Sequence, residues 1–266
     1  MLFFQLSTWL LALLIFLVLA GATAVGLLAG RALRGRSEDL REPFSVMQAA
    51  ILGFMGLVLA FGISLAIGRY EERRTDVVDE ANAIGTSYLR AQMIAEPQRS
   101  RSLDLLRRFN DISITLGRQV PGSSAQLSKV ASSGQVERRL WSLAGQALDR
   151  APSDGAPRLY VESLNEMFDV QSSRVAGLGN RIPTPVLLLE IVGSALALAV
   201  LAMHLSTLGG PGVFSVVVAA ILLGVILLVT FDLDRPTRGL INVPVTPLVQ
   251  ERAAMQLPPA AAPPGH

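Results

Sequence analysis

The chain has 266 residues, of which 51% are hydrophobic, and this composition is too apolar for an ordinary soluble domain. Its net charge is +2, and because Lys129 is the only lysine, arginine supplies almost all of the positive charge. Acidic and basic residues nearly balance between Arg69 and Arg181, which argues against a nucleic-acid-binding surface, since that would need a basic stripe. The chain contains no cysteine, and this excludes disulfides, thiolate metal sites and thiol nucleophiles.

Four apolar runs approach the length of about 20 residues that is needed to cross a bilayer. They are roughly Leu6–Gly30, Ser45–Gly68, Val186–Leu205 and Val213–Phe231. A polar segment of domain length lies between the second and third runs. The sequence therefore predicts an integral membrane protein with four transmembrane helices.

The first run has two interpretations, an uncleaved membrane helix or a signal peptide with the cleavage-like sequence LAGATA. The uncleaved helix is favoured because no basic segment precedes the run and because the run exceeds the usual apolar length of a signal peptide. Ala22, Gly26 and Gly30 form a stripe of small residues, which permits close contact with another helix in lipid. The short connector that follows is rich in arginine: Arg31, Arg34, Arg36 and Arg41.

The second run carries two different faces and continues into a block of charge without a helix breaker. One face is a predicted helix-packing stripe of small residues: Gly53, Gly56, Ala60, Ser64 and Gly68. The neighbouring face is apolar and partly aromatic: Phe54, Leu57, Val58 and Phe61. This second face is interpreted either as a surface that contacts lipid or the bundle core, or as the hydrophobic constriction of a pore that gates by dewetting.

Between Arg69 and Arg181 the apolar residues recur at helical spacing, and no alternating pattern of a strand is present. The turn signals are Glu96-Pro97, Pro121-Gly122 and the segment from Pro152 to Pro157. Helices joined by such short turns pack antiparallel, so the fold class is all-α with an extramembrane antiparallel helical bundle inserted between spans 2 and 3. The predicted domains are 1–68, the first two spans and connector; 69–182, the bundle; 183–231, the last two spans; and 232–266, the DLDRP segment and a Pro/Ala-rich tail.

Four crossings place the bundle and both termini on the same side of the membrane. Arginines near the membrane ends are more numerous on that side than in the connector, so the positive-inside rule favours a cytosolic bundle. The predicted location is the bacterial inner membrane.

Two ionisable residues lie within the apolar runs, Glu190 and His204. An ionisable group inside a membrane span is a candidate functional site. Both lie near the ends of the third run, however, where a long side chain reaches the interface at low cost. Both interpretations remain open at this point.

A charged cluster is predicted where the second and fourth spans leave the membrane. Its members are Glu71, Glu72, Arg73, Arg74, Asp232, Asp234 and Arg235. Pairing of the aspartates with Arg73 or Arg74 would clasp the two spans. The alternative is a charged ring in an oligomer or an ion site, because carboxylates are the ligands that calcium accepts. The sequence has no spaced calcium-loop motif, so no cofactor or metal is predicted and calcium is only weakly supported.

Motifs of catalysis are missing from the sequence, which has no G-x-G-x-x-G, no Walker loop and no G-x-S-x-G. Its two histidines, one in a membrane run and one in the tail, argue against His-based catalysis and a His metal site. We therefore expect that the protein is not an enzyme.

Three segments carry a resemblance to a known family: GRYEERRTDVVDEANAIGTSYLRAQ (Gly68–Gln92), LNEMFD (Leu164–Asp169) and FDLDRPTRGLINV (Phe231–Val243). Together with the pattern of spans they resemble the bacterial bestrophin-like domain membrane proteins, a family catalogued without known function. True bestrophins, which are similar in layout, are pentameric anion channels whose second span lines the pore. Their own pore and calcium-clasp motifs are not recognisable here, so the resemblance transfers no residue role.

Two functions are therefore expected. The first is an oligomeric ion channel or pore whose second helix lines or flanks the ion path, with permeant ions, the lipid bilayer and other copies of the chain as partners. The alternative is a non-conducting membrane scaffold or sensor whose helical bundle binds a protein partner. Nucleic acid is not expected as a partner of either.

Overall fold

The computed structural model describes residues 7–33, 37–207 and 213–260, with the backbone alone for 37–44. In these ranges the chain forms helices and no strand, which confirms the all-α fold class. The helices are α1 (Thr8–Ala32), α2 (Ser37–Ala91), α3 (Gln98–Leu116), α4 (Ser124–Arg150), α5 (Gly155–Gly179), α6 (Thr184–Thr207), α7 (Val213–Leu233) and α8 (Thr246–Ala254). Four helical stretches of these ranges are long and apolar enough to cross a membrane: Thr8–Ala32, Ser45–Ala91, Gly155–Thr207 and Val213–Leu233.

Local sequence explains several helix ends. The Ser7 side chain accepts a hydrogen bond from the Leu10 amide at the start of α1, and Ser123 caps α4 in the same way. Asp154 caps α5 by accepting from the Ala156 amide. The helix α2 begins at Ser37, earlier than the second apolar run, and continues without interruption to Ala91. Arg34, Arg36 and the Arg41 side chain lie outside the described residues.

The chain divides into two compact units. The membrane unit contains α1, α6, α7 and the part of α2 that ends at Tyr70. The bundle unit contains α2 from Glu71, the helices α3, α4 and α5, and α8.

In the membrane unit, the helix α1 packs closely against α6 through small residues. A Cβ atom added to Gly26 would collide with the backbone of Ala199, and one added to Gly30 would meet the Met203 carbonyl and lie 2.7 Å from Cβ of Ser206. The Ser206 hydroxyl also donates to the Leu27 carbonyl at 3.1 Å. The stripe of small residues on α1 therefore makes the close helix contact that its spacing predicts.

Substitution of Gly26 by valine is expected to destabilise the membrane unit by about 3 kcal/mol, the upper end for overpacking, because the colliding atoms are backbone and cannot rotate away. Gly21→Val is the matched control on the same helix, since a Cβ at Gly21 meets nothing within 4 Å among the described residues. The measurement is unfolding of both purified variants by titration with a denaturing detergent. Equal stability of the two variants would contradict the close contact.

In the bundle unit, an apolar core joins α2 to the helices α3, α4, α5 and α8. Phe109, Leu140, Tyr160 and Leu164 are fully buried in it. Leu248 of α8 and Met255, which follows α8 directly, also belong to this core, which the Pro/Ala-rich composition of the tail did not indicate.

Side-chain hydrogen bonds hold α8 in the bundle unit. The Asn110 amide donates to the Leu248 carbonyl at 2.9 Å, and the Tyr88 hydroxyl donates to the Met255 carbonyl at 3.0 Å. The part of the tail beyond Ala260 lies outside the described residues.

Candidate functional site

The predicted pore face of α2 is exposed in the membrane unit. Phe54, Leu57 and Phe61 have exposed fractions of 59%, 56% and 64%, and Val58 is half-buried. Phe54 and Phe61 are two helical turns apart, about 10 Å along the axis. This chain therefore leaves a continuous apolar strip of α2 uncovered, as both the lipid and the pore interpretation require.

The predicted packing stripe of α2 is exposed as well. Its members are Gly53, Gly56, Ala60, Ser64 and Gly68. A Cβ atom added to Gly53, Gly56 or Gly68 would meet nothing within 4 Å in the described part of the chain. The glycines of the stripe therefore pack against none of the described residues.

A different strip of α2 makes the contacts within the membrane unit. Met55, Leu59 and Ala66 are buried, and they share one face of the helix with Gly62. A Cβ atom added to Gly62 would collide with the carboxyl group of Glu190 on α6. This strip cannot be recognised in the sequence, because its mixture of large and small residues does not stand out from the apolar run.

Glu190 lies in the interior of the membrane unit. Its side chain is fully buried, and neither carboxyl oxygen has a hydrogen-bond partner among the described residues. His204, near the end of the same helix, is 8% exposed, and its Nδ1 atom also has no hydrogen-bond partner in the described ranges. The two residues are 14 positions apart, about 21 Å along a helix, so they do not form one site.

The aspartates of the DLDRP segment bind backbone amides within the membrane unit. One carboxyl oxygen of Asp232 accepts from the amides of Leu240 and Ile241, both at 2.8 Å. Oδ1 of Asp234 accepts from the amide of Ile182 at 3.0 Å. The two residues therefore fix the loop that follows α7 and the segment that enters α6.

Gly239 is required where the DLDRP loop passes Asp232. Its φ angle is +157°, and a Cβ atom there would collide with the Asp232 carboxyl group. Arg235 is buried beside these aspartates, and this burial lowers its pKa while Asp232 acts in the opposite direction. The DLDRP segment is thus an ordered loop whose charged side chains are largely buried from solvent.

The remaining members of the charged cluster lie at the start of the bundle unit. Arg73 is buried and donates to the Asn180 carbonyl at 2.6 Å. Arg74 pairs with Glu71 at 3.4 Å on the exposed surface, and Glu72 is exposed. Among the described residues no group of three or more Asp, Glu or His side chains is placed to hold a metal ion.

A buried ion pair in the bundle unit was missed by sequence analysis. Glu80 of α2 and Arg174 of α5 pair with exposed side-chain fractions of 0% and 2%. The Ser113 hydroxyl of α3 donates to the same carboxylate at 2.7 Å, and Arg174 also approaches the Ser113 carbonyl at 3.4 Å. The available signal was the position of Glu80 on the face that carries Val77 and Ile84, where an acidic residue is unexpected.

The bundle unit also has an open groove of about 510 Å³ between α2 and the C-terminal segment. Its polar lining includes Asn82, Thr86, Gln92 and Glu251. Burial raises the pKa of Glu251, whose carboxyl group lies against Gly85. The amide of Ala260 donates to the Gln92 side chain at 2.8 Å, which places the end of the described tail at the rim of the groove.

The bestrophin-like domain matches residues 12–248 of the chain. A crystal structure of a bacterial bestrophin homologue from Klebsiella pneumoniae has a TM-score of 0.66 and 17% identity, with 91% of this chain and 97% of that chain covered. A crystal structure of a single-residue variant of the homologue has a TM-score of 0.66 and 16% identity, with 88% of this chain and 96% of that chain covered. A crystal structure of a variant of a membrane protein has a TM-score of 0.68 and 18% identity, with 94% of this chain and 99% of that chain covered. These TM-scores show a common fold. No curated protein matches the chain.

Proposed function

Because this chain belongs to the family of bestrophin-like domain proteins, we propose that it forms an oligomeric ion channel or pore in which α2 lines or flanks the ion path. The observation that carries the proposal is the side of α2 that the described residues of this chain leave exposed. Two surfaces that a pore-lining helix needs, an apolar constriction and a contact for the neighbouring subunit, lie side by side on it.

The apolar surface fits the narrow part of a pore. Phe54, Leu57 and Phe61 expose large side chains, and no charged residue lies between Ser45 and Gly68. A ring of such side chains from several subunits would hold water out when it is narrow and admit hydrated ions when it widens.

The small-residue surface fits the contact between subunits. Three glycines of the stripe, Gly53, Gly56 and Gly68, have free space above them in the described structure. Small residues let the backbones of two membrane helices approach closely, which lipid chains alone do not require. We therefore assign the stripe to homo-oligomer formation and the aromatic strip beside it to the ion path.

The proposed location is the bacterial inner membrane with the bundle and both termini in the cytosol. The positive-inside rule supports it, because arginines near the membrane ends are more numerous on the bundle side.

The test is reconstitution of the purified full-length protein into liposomes, with ion flux and planar-bilayer currents measured across pH and calcium concentration. The expected result is ion-selective current that scales with the amount of protein. Liposomes without protein, and liposomes with heat-inactivated protein, are the controls. Absence of selective current under all of these conditions would overturn the proposal.

A non-conducting scaffold or sensor is the second candidate, and the groove of the bundle unit favours it. Leu89 and Leu257 line the groove with exposed fractions of 53% and 67%, beside polar groups that could orient a bound peptide segment. This function predicts that a defined protein co-purifies with the chain and is lost in a Leu89→Asp variant. It also predicts liposomes without ion flux, which separates it from the channel.

A further inference from the structure

The carboxyl group of Glu190 is an isolated acid inside the membrane unit. Its side chain has no exposed surface, and its two oxygens have no hydrogen-bond donor among the described residues. The Ser194 hydroxyl, one turn later on the same face of α6, is also fully buried without a partner there. Two neighbouring polar groups of α6 are thus buried without a hydrogen-bond partner among the described residues.

The helix α2 closes this polar site from one side. Gly62 lies directly against the Glu190 carboxyl group, and any side chain at this position would collide with it. Two turns earlier on α2, Met55 packs on Gly193 of α6. The approach of α2 to α6 therefore depends on the size and charge of the Glu190 side chain.

The apolar stretches of the helices that neighbour α6 carry no charged group that could neutralise a Glu190 carboxylate. The sequence has no charged residue or histidine between Thr8 and Gly30 of α1 or between Ser45 and Gly68 of α2. On α7 the charged residues begin at Asp232, near its end, and Asp234 and Arg235 follow it. The two aspartates accept from backbone amides of the DLDRP loop and of Ile182, which is eight positions before Glu190. On α2 the first charged residue after Gly62 is Arg69, seven positions and about 10 Å further along the axis.

The ionisable residues on α6 and in the segment that precedes it are also separated from Glu190 along the chain. His204 lies about 21 Å further along the helix, and Arg181 precedes Glu190 by nine positions, outside α6. A carboxylate buried without a counter-charge or donor is strongly disfavoured relative to the neutral acid.

We propose that the Glu190 carboxyl group is a proton-binding site, and that the bound proton allows α2 to pack over Glu190 at Gly62. The proton enters by forming an O–H bond with one carboxyl oxygen, and it leaves to water when the site opens. Raising the pH removes it, and the ionised carboxylate then separates α2 from α6 to reach water. This proposal is independent of whether the protein conducts ions.

Difference infrared spectroscopy of the full-length protein in liposomes tests the proton directly. We expect the C=O band of a carboxylic acid at pH 7, where solvent-exposed carboxyl groups are ionised. The band is expected to disappear in Glu190→Gln and at high pH, to shift in Glu190→Asp, and to persist in the exposed-site control Glu71→Gln. A band unchanged by Glu190→Gln, or no acid band at pH 7, would overturn the proposal.

The packing of α2 is tested by a pair of glycine variants in the same experiment. Gly62→Ala is expected to shift the acid band because its Cβ displaces the carboxyl group, whereas Gly21→Ala on α1 is expected to leave the band in place because a Cβ there meets nothing within 4 Å of the described structure. Equal spectra of the two variants would refute the contact. An acid band that vanishes when sodium is added at pH 7 would assign the site to a cation and refute the proton.

Discussion

Replacement of Glu80 by alanine is expected to lower the free energy of unfolding by about 3–5 kcal/mol, because it leaves the Arg174 guanidinium buried without its partner. The side chains of this pair are 0% and 2% exposed, so water does not screen the remaining charge. The Ser113 hydroxyl would lose its acceptor as well. The loss is therefore expected to exceed that of any surface ion pair in the bundle unit.

The two tryptophans of the chain allow this loss to be measured in the bundle unit alone. Trp9 lies on α1 and Trp141 on α4, so a Trp9→Phe background leaves Trp141 as the fluorescence reporter. The ring centroids of Trp141 and Phe168 are 6.4 Å apart. Urea unfolding of the full-length protein in detergent, followed by Trp141 fluorescence, gives the stability of each variant.

Two further variants define the result for the buried pair. Glu71→Ala removes the exposed pair with Arg74 and is expected to cost less than about 1 kcal/mol. The double variant Glu80→Leu/Arg174→Met is expected to recover most of the loss, because apolar residues of similar volume replace a buried ion pair well. If Glu80→Ala were no more damaging than Glu71→Ala, the pair would not stabilise the bundle unit.

Replacement of Phe61 by alanine is expected to increase ion flux by about tenfold, which corresponds to a barrier lowered by about 1.4 kcal/mol. The physical reason is that a phenyl ring at the proposed constriction excludes water, and its loss widens and wets the path. Phe61 is 64% exposed in the chain, so the substitution leaves the core of the membrane unit intact. The measurement is the initial rate of ion flux from liposomes of equal protein content.

The control for Phe61 is another exposed aromatic residue of the membrane unit. Phe214 on α7 is 76% exposed, and Phe214→Ala is expected to leave the flux unchanged. Phe61→Trp should decrease the flux because it adds volume at the same place. Equal flux in Phe61→Ala and Phe214→Ala would show that the aromatic face of α2 contacts lipid, which is the simpler of its two interpretations.

Properties that depend on the residue pattern within one segment of the chain could be predicted from the sequence. The four membrane-spanning helices follow from apolar runs of sufficient length, and the helical character of the polar segment follows from its periodicity. The unbroken helix α2 follows from the absence of a proline or glycine pair at its charged exit. The tight packing of α1 follows from the spacing of Gly26 and Gly30, because that spacing places both on one helical face.

Properties that depend on residues distant in the chain were decided by the tertiary structure. Glu80 forms an ion pair with Arg174, 94 residues away in the sequence, and the Tyr88 hydroxyl donates a hydrogen bond to the Met255 carbonyl, 167 residues away. No local pattern encodes such a pair, because the periodicity of one helix says which face is buried and not what lies against it.

The membrane site shows the same division between sequence and structure. The sequence identified Glu190 as an ionisable residue in an apolar run, but whether it reached the interface or the interior depended on which helix covered it. Gly62 on α2 decided this, since only the absence of a side chain there gives the carboxyl group its place. The sequence by itself determined the membrane class and the helices of this protein, and the tertiary packing decided which polar residues are enclosed, because enclosure is a property of contacts between distant segments.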